Sequence, residues 1–116
     1  MAFSLRYLGH RCVPGGAIVP WYQHGRVDLA PGCELTIPPE GLVLGRGASA
    51  DVRVASNGVA RAHVRLTIVE GKLHAEDLSS TNGTQRNGVT AASMDLAGGD
   101  VLSLADTFDF LVVESE

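Results

Sequence analysis

Between Asp77 and Thr84 the chain reads Asp-Leu-Ser-Ser-Thr-Asn-Gly-Thr, and Asn87-Gly88 follows almost at once. Small hydroxyl and amide side chains around a glycine cannot build a core, so this run predicts a tight exposed loop offering polar atoms to a ligand. The charge distribution narrows the kind of ligand. Residues 1–65 hold seven arginines against four acids, residues 66–116 hold two bases against nine acids, and the formal net charge is −4. That balance argues against direct nucleic-acid binding, which needs a phosphate-neutralising basic face. Local arginines can still seat a single anionic group.

Catalytic patterns are missing from the sequence. It has no Gly-x-Ser-x-Gly elbow, P-loop, His-Glu-x-x-His or cysteine pair at metal spacing. Ser79 or Ser80 with His63 and Asp77 has the residue types of a hydrolytic triad, yet all are ordinary turn and cap formers, and nothing implies a strained nucleophile. His10-x-Cys12 is at most half of a metal site. No enzyme, cofactor or metal is expected.

The elements that position the loop read as strands. With 116 residues, 45% of them hydrophobic, the chain is expected to form one domain over 1–116 with a core that needs no staples. Alternation marks Phe3–Leu8, Cys33–Ile37 before Pro38-Pro39, Asp51–Val54, Val64–Ile68 and Leu73–Glu76, the last two joined by a turn at Glu70-Gly71-Lys72. Leu42–Leu44, Val89-Thr90, Val101–Leu104 and Phe108–Val113 complete the set, with turns at Ser56-Asn57-Gly58 and Leu96–Asp100. Residues 12–32 are rich in Pro and Gly and predict a long connection, holding a short strand near Val27–Leu29 and anchored by Trp21 and Tyr22. Strand starts recur without helical periodicity, which predicts an all-β fold of two packed antiparallel sheets.

No stretch of 18 apolar residues and no signal-peptide pattern occurs, so a cytoplasmic protein without a membrane partner is expected. Cys12 and Cys33 then read as free thiols rather than a disulfide. The chain ends directly after its last strand, which leaves room for a C-terminal effector domain.

Gly45-Arg46, Ala60-Arg61-Ala62-His63, Ser80-Thr81-Asn82-Gly83-Thr84, Asn87-Gly88 and Leu96-x-x-Gly99-Asp100 follow one another in an order and spacing that closely resemble a forkhead-associated (FHA) domain. The resemblance covers about residues 41–113. It implies a two-sheet β-sandwich that binds phosphothreonine peptides through loops at one end. Arg46 would then be the guanidinium fork on the phosphate, a task that suits two parallel charge-assisted hydrogen bonds. Thr81 would contact the phosphothreonine and Asn82 the peptide main chain, although Asn82-Gly83 also suits a tight turn. Ser80 is an accessory candidate. Gly45, His63, Gly83, Asn87 and Gly88 would be structural, with His63 bracing the loops, and Asp77 and Asp51 are loop braces.

Two departures bear on affinity. The FHA pattern has Ser-x-x-His where this chain has Ala60-Arg61-Ala62-His63, so a hydroxyl to the phosphate is lost and Arg61 becomes the candidate replacement. Gln85-Arg86 stands where aromatic or aliphatic residues usually precede Asn-Gly, which is expected to expose polarity near the binding end and lets Arg86 join Arg46 and Arg61 in a positive patch. The implied function is a module linking a Ser/Thr kinase signal to a phosphorylated partner. The alternative is a degenerate FHA domain that binds protein, or its own second copy, without phosphate.

Overall fold

A computed structural model describes residues 2–10, 34–48, 50–54 and 58–115. Its strands are β1 (Ala2–His10), β2 (Glu34–Thr36), β3 (Leu42–Gly45), β4 (Val52–Arg53), β5 (Val64–Val69), β6 (Lys72–Asp77), β7 (Thr84–Arg86), β8 (Val89–Thr90), β9 (Ser93–Leu96), β10 (Val101–Leu104) and β11 (Phe108–Ser115). They form two sheets, ordered β2-β1-β11-β10-β7-β8 and β4-β3-β5-β6-β9. The long connection, with Trp21, Tyr22, Val27–Leu29 and both cysteines, lies outside the described residues, as do Ser56 and Asn57 of the expected turn.

Alternation builds the core. Phe3, Leu5 and Tyr7 of β1 and Phe108, Phe110 and Val112 of β11 face inward, opposite Leu66, Leu73 and Ala75 of the other sheet. Burying each large side chain stabilises the sandwich by about 1.5–3 kcal/mol. Tyr7 and Phe110 are cross-strand partners with ring centroids 5.1 Å apart. The pairing of β1 with β11 runs from Ala2↔Ser115 to His10↔Phe108, so the first and last described strands share one end.

Two features depart from the expected pattern. The β3–β4 pair is parallel, with Leu44↔Val52 and Gly45↔Arg53 in register. A short loop suffices because Asp51 extends the edge by side chain and backbone together: its N–H donates to the Val43 carbonyl at 2.9 Å and its carboxylate accepts the Val43 N–H at 2.8 Å. The second is two strands absent from the expected set: β7, which pairs with β10 from Leu102↔Arg86 to Leu104↔Thr84, and β9, which pairs with β6 from Leu73↔Leu96 to Glu76↔Ser93. The inward residues of β9, Met94 and Leu96, are buried as alternation requires, but the preceding Ala91-Ala92 carries little strand propensity.

Two hairpins need left-handed backbone. Asn87 (φ 50°) and Gly88 (φ 86°) join β7 to β8, and Glu70 (φ 51°) and Gly71 (φ 74°) join β5 to β6. Paired positive φ values give the hairpin turn whose twist matches the strands.

Candidate functional site

The loops after β3, β4 and β6 meet at one end of the sandwich, and residues 58–61 stitch them together. Four consecutive carbonyls are engaged. Gly58 accepts from Asn82 Nδ2 at 2.9 Å and Val59 from Arg46 Nε at 3.0 Å. Ala60 accepts from the Arg46 N–H at 2.8 Å and Arg61 from the Gly47 N–H at 3.0 Å. Arg46 and Asn82, 36 positions apart in sequence, therefore hold adjacent peptide units. Gly45 makes this approach feasible, because a Cβ there would collide with the Arg61 carbonyl.

His63 is fully buried beneath these loops. Its Nδ1 accepts the Ala60 N–H at 3.1 Å, which leaves Nε2–H to donate to the Gly83 carbonyl at 2.7 Å. Each ring nitrogen thus holds a different loop. Gly83 also takes the Ala105 N–H at 2.9 Å, which draws the β10–β11 turn to the same end. Within the β6–β7 loop, Asp77 accepts the Ser80 N–H at 3.0 Å and its hydroxyl at 2.7 Å, while Ser80 Oγ accepts the Gly83 N–H at 3.0 Å. The Ser80 hydroxyl proton is committed inside the loop, and Asp77 braces it.

What remains unspent lies outward. Arg46 is half-buried, and its Nη groups have no acceptor among the described residues. Arg61, Thr81 and Asn82 are exposed. Neither the Arg61 guanidinium nor the Thr81 hydroxyl has a recorded partner there, and Asn82 keeps its Oδ1 as an acceptor. Unspent donors on loops tied to one another in this way suit an anion.

Arg86 is not part of this cluster. It sits opposite Leu102 at the far end of β7, and its Nε pairs with Asp100 at 3.2 Å. Asp100 also accepts from Asn87 Nδ2 at 3.1 Å and the Ala97 N–H at 2.9 Å, while Asn87 Oδ1 accepts the Val101 N–H at 2.9 Å. Burial is the largest single influence on the Asp100 carboxyl and pushes its pKa up. The Ala97 N–H, the Asn87 amide and Arg86 together outweigh it and hold the pKa below the ordinary Asp value.

Gln85 likewise corrects the expected exposed polarity: it is buried at 3% exposure. Its Oε1 accepts the Asp106 N–H at 2.7 Å, and its Nε2 donates to the Asn82 carbonyl at 3.3 Å and Thr90 Oγ1 at 3.2 Å. Period-two reading fails across Thr84-Gln85 because both neighbours are buried. Arg53 also escaped sequence reading: its Nε donates to the Arg46 carbonyl at 2.9 Å, a bond that only its β4 register beside Gly45 could have suggested. Among the described residues no three His, Cys, Asp or Glu side chains converge as a metal would require.

The family model described as "FHA domain" matches residues 42–105. The chain belongs to the FHA family. Within it, the FHA domain-containing protein FhaA of Mycobacterium tuberculosis is 37% identical over 62 residues, covering 53% of this chain and 12% of that protein. The chain thus spans about an eighth of that relative's length. A structure from a study of phosphothreonine-dependent FHA domain interactions superposes with a TM-score of 0.75 at 23% identity, covering 100% of this chain and 99% of that one. The FhaA FHA domain, crystallised in complex with the intracellular domain of another protein, gives a TM-score of 0.69 at 24% identity, covering 95% of this chain and 98% of that one. These neighbours share the all-β sandwich. The FHA family is one of interaction modules, and no described helix is long and apolar enough to cross a membrane.

Proposed function

We propose that this FHA domain binds a phosphothreonine-containing segment of a phosphorylated partner and so links Ser/Thr kinase signalling to protein assembly. One observation carries the reading: Arg46 and Asn82 anchor to neighbouring carbonyls while the Arg46 Nη groups, Arg61 and Thr81 keep donors unspent among the described residues. In this reading Arg46 grips the phosphate bidentately, Thr81 and Arg61 add donors, and Asn82 Oδ1 takes a peptide N–H. Gly45, His63 and Gly83 hold the rim in shape, and Asn87-Gly88 closes the neighbouring hairpin. The domain works by binding rather than by catalysis, in the cytoplasm, and serves any effector domain joined after it. Phosphothreonine is preferred to phosphoserine by the burial of one methyl, about 0.8 kcal/mol.

Ala60 favours a second reading, phosphate-independent binding of a protein surface or a second copy. It has no hydroxyl, and both its backbone groups are used internally. Losing one hydrogen bond to a charged group costs about 1.5–3 kcal/mol, roughly 10- to 150-fold in affinity.

Calorimetric titration of matched phosphothreonine, phosphoserine and unphosphorylated peptides separates the two readings. The first expects binding in that order, with Arg46→Ala weakening phosphothreonine binding at least about tenfold. Equal binding of all three peptides would establish the second.

A further inference from the structure

Arg53 gives the rim more positive charge than one phosphate needs. Among the described residues Arg6 pairs with Glu34 and Arg86 with Asp100; Arg65 on β5 has no ion pair, and at the loops Arg46, Arg53 and Arg61 have no carboxylate within ion-pair distance. All three gather around the β3–β4 and β4–β5 loops. Arg53 lies opposite Gly45 in the parallel register, and its Nε is fixed on the Arg46 carbonyl at 2.9 Å. Arg61 holds Gly47 through its own carbonyl at 3.0 Å. Nε is the guanidinium nitrogen that both Arg46 and Arg53 spend on backbone oxygens, which leaves their Nη pairs without an acceptor among the described residues.

A phosphate monoester carries about −1.5 to −2 charge at neutral pH. Three uncompensated guanidiniums exceed that, even though the net charge of the whole chain is −4. Mutual repulsion makes such a cluster costly when empty and favours a ligand with more than one anionic group.

Resting on the phosphothreonine reading, we infer that Arg53 is a specificity-determining residue that reads a second anionic group beside the phosphothreonine of the bound segment. An acidic side chain and a second phosphate offer the same chemistry, and the experiment tells them apart. Three phosphothreonine peptides are titrated, with neutral flanks, with glutamates on either side, or with a second phosphothreonine nearby. The inference expects at least one anionic-flanked peptide to bind roughly five- to tenfold tighter than the neutral-flanked one, and the stronger of the two names the natural source.

Arg53→Gln removes the charge while keeping an amide donor for the Arg46 carbonyl, and should bring this affinity ratio close to one. Arg65→Gln is the matched control, because Arg65 is exposed on β5 at the Val43↔Arg65↔Glu76 row, two strands across from Arg53 and with no hydrogen bond to the Arg46 loop among the described residues. It should keep the ratio, and thermal melting confirms that both variants are folded. No anionic preference in the wild type, a ratio that survives Arg53→Gln, or an equal fall in Arg65→Gln overturns the inference alone. Failure of every phosphopeptide to bind overturns the phosphothreonine reading as well.

Discussion

Ala60 spends its carbonyl on Arg46 and its N–H on His63, so only a methyl is left to face a ligand. A serine would add a hydroxyl without touching either bond, since both are made by the backbone. Ala60→Ser is therefore expected to tighten phosphothreonine-peptide binding by about tenfold or more, read by calorimetry with one peptide on both proteins. An unchanged affinity would indicate that Arg61 already supplies the missing donor. Arg46, His63 and Asn82 stand out in the sequence by residue type and order, and the structure brings their loops to one end. What they grip was not legible there, because the carbonyls of residues 58–61 are backbone atoms that leave no trace in residue type. Arg86 misled for a related reason: charge type is visible in a sequence, but its partner Asp100, 14 positions on, is chosen by strand register.

At the scale of elements, β7 couples the β6–β7 loop to the β10–β11 turn through one buried amide. Ala105 (φ 56°) and Asp106 (φ 50°) are both left-handed without being glycine, and the Gly83 carbonyl and Gln85 Oε1 hold their N–H groups at 2.9 and 2.7 Å. Such backbone persists only where its surroundings fix it. Gln85→Leu should lower stability by about 1–3 kcal/mol and speed hydrogen exchange at Asp106. Unaltered exchange there would show that the turn needs no such brace. On the neighbouring turn, the lowered Asp100 pKa means that its ionised form stabilises the fold above the unfolded-state value of about 3.9, and that this contribution fades as pH falls through the lower folded value. The stability gap between wild type and Asp100→Asn, from denaturant titrations, should thus shrink only below about pH 4. A gap that stays constant into stronger acid would contradict this. Hairpins were easy to read, because Asn87-Gly88 and Glu70-Gly71 announce the backbone they need. The parallel edge at β4 was not, since its pairing depends on how Asp51 meets Val43.

For the whole molecule, the basic rim sits on an acidic body, so attraction to an anionic segment competes with repulsion from the rest. Raising ionic strength from about 0.1 M to 1 M shortens the screening length from about 10 Å to about 3 Å. Phosphopeptide affinity should fall over that range, while a salt-insensitive affinity would point to an uncharged contact. The sandwich itself was legible from alternation, because inward Phe, Leu and Val on successive strands admit few other arrangements. The pairing of β1 with β11 has a practical consequence. Ala2 and Ser115 are neighbours at one pole, and the strands run roughly 25 Å to the opposite pole, where His10 meets Phe108 beside the β10–β11 turn. A tether, dye or fused polypeptide attached beside Ala2 or Ser115 would hang from the base like a stalk and leave the arginine-bearing loops of the opposite pole unobstructed.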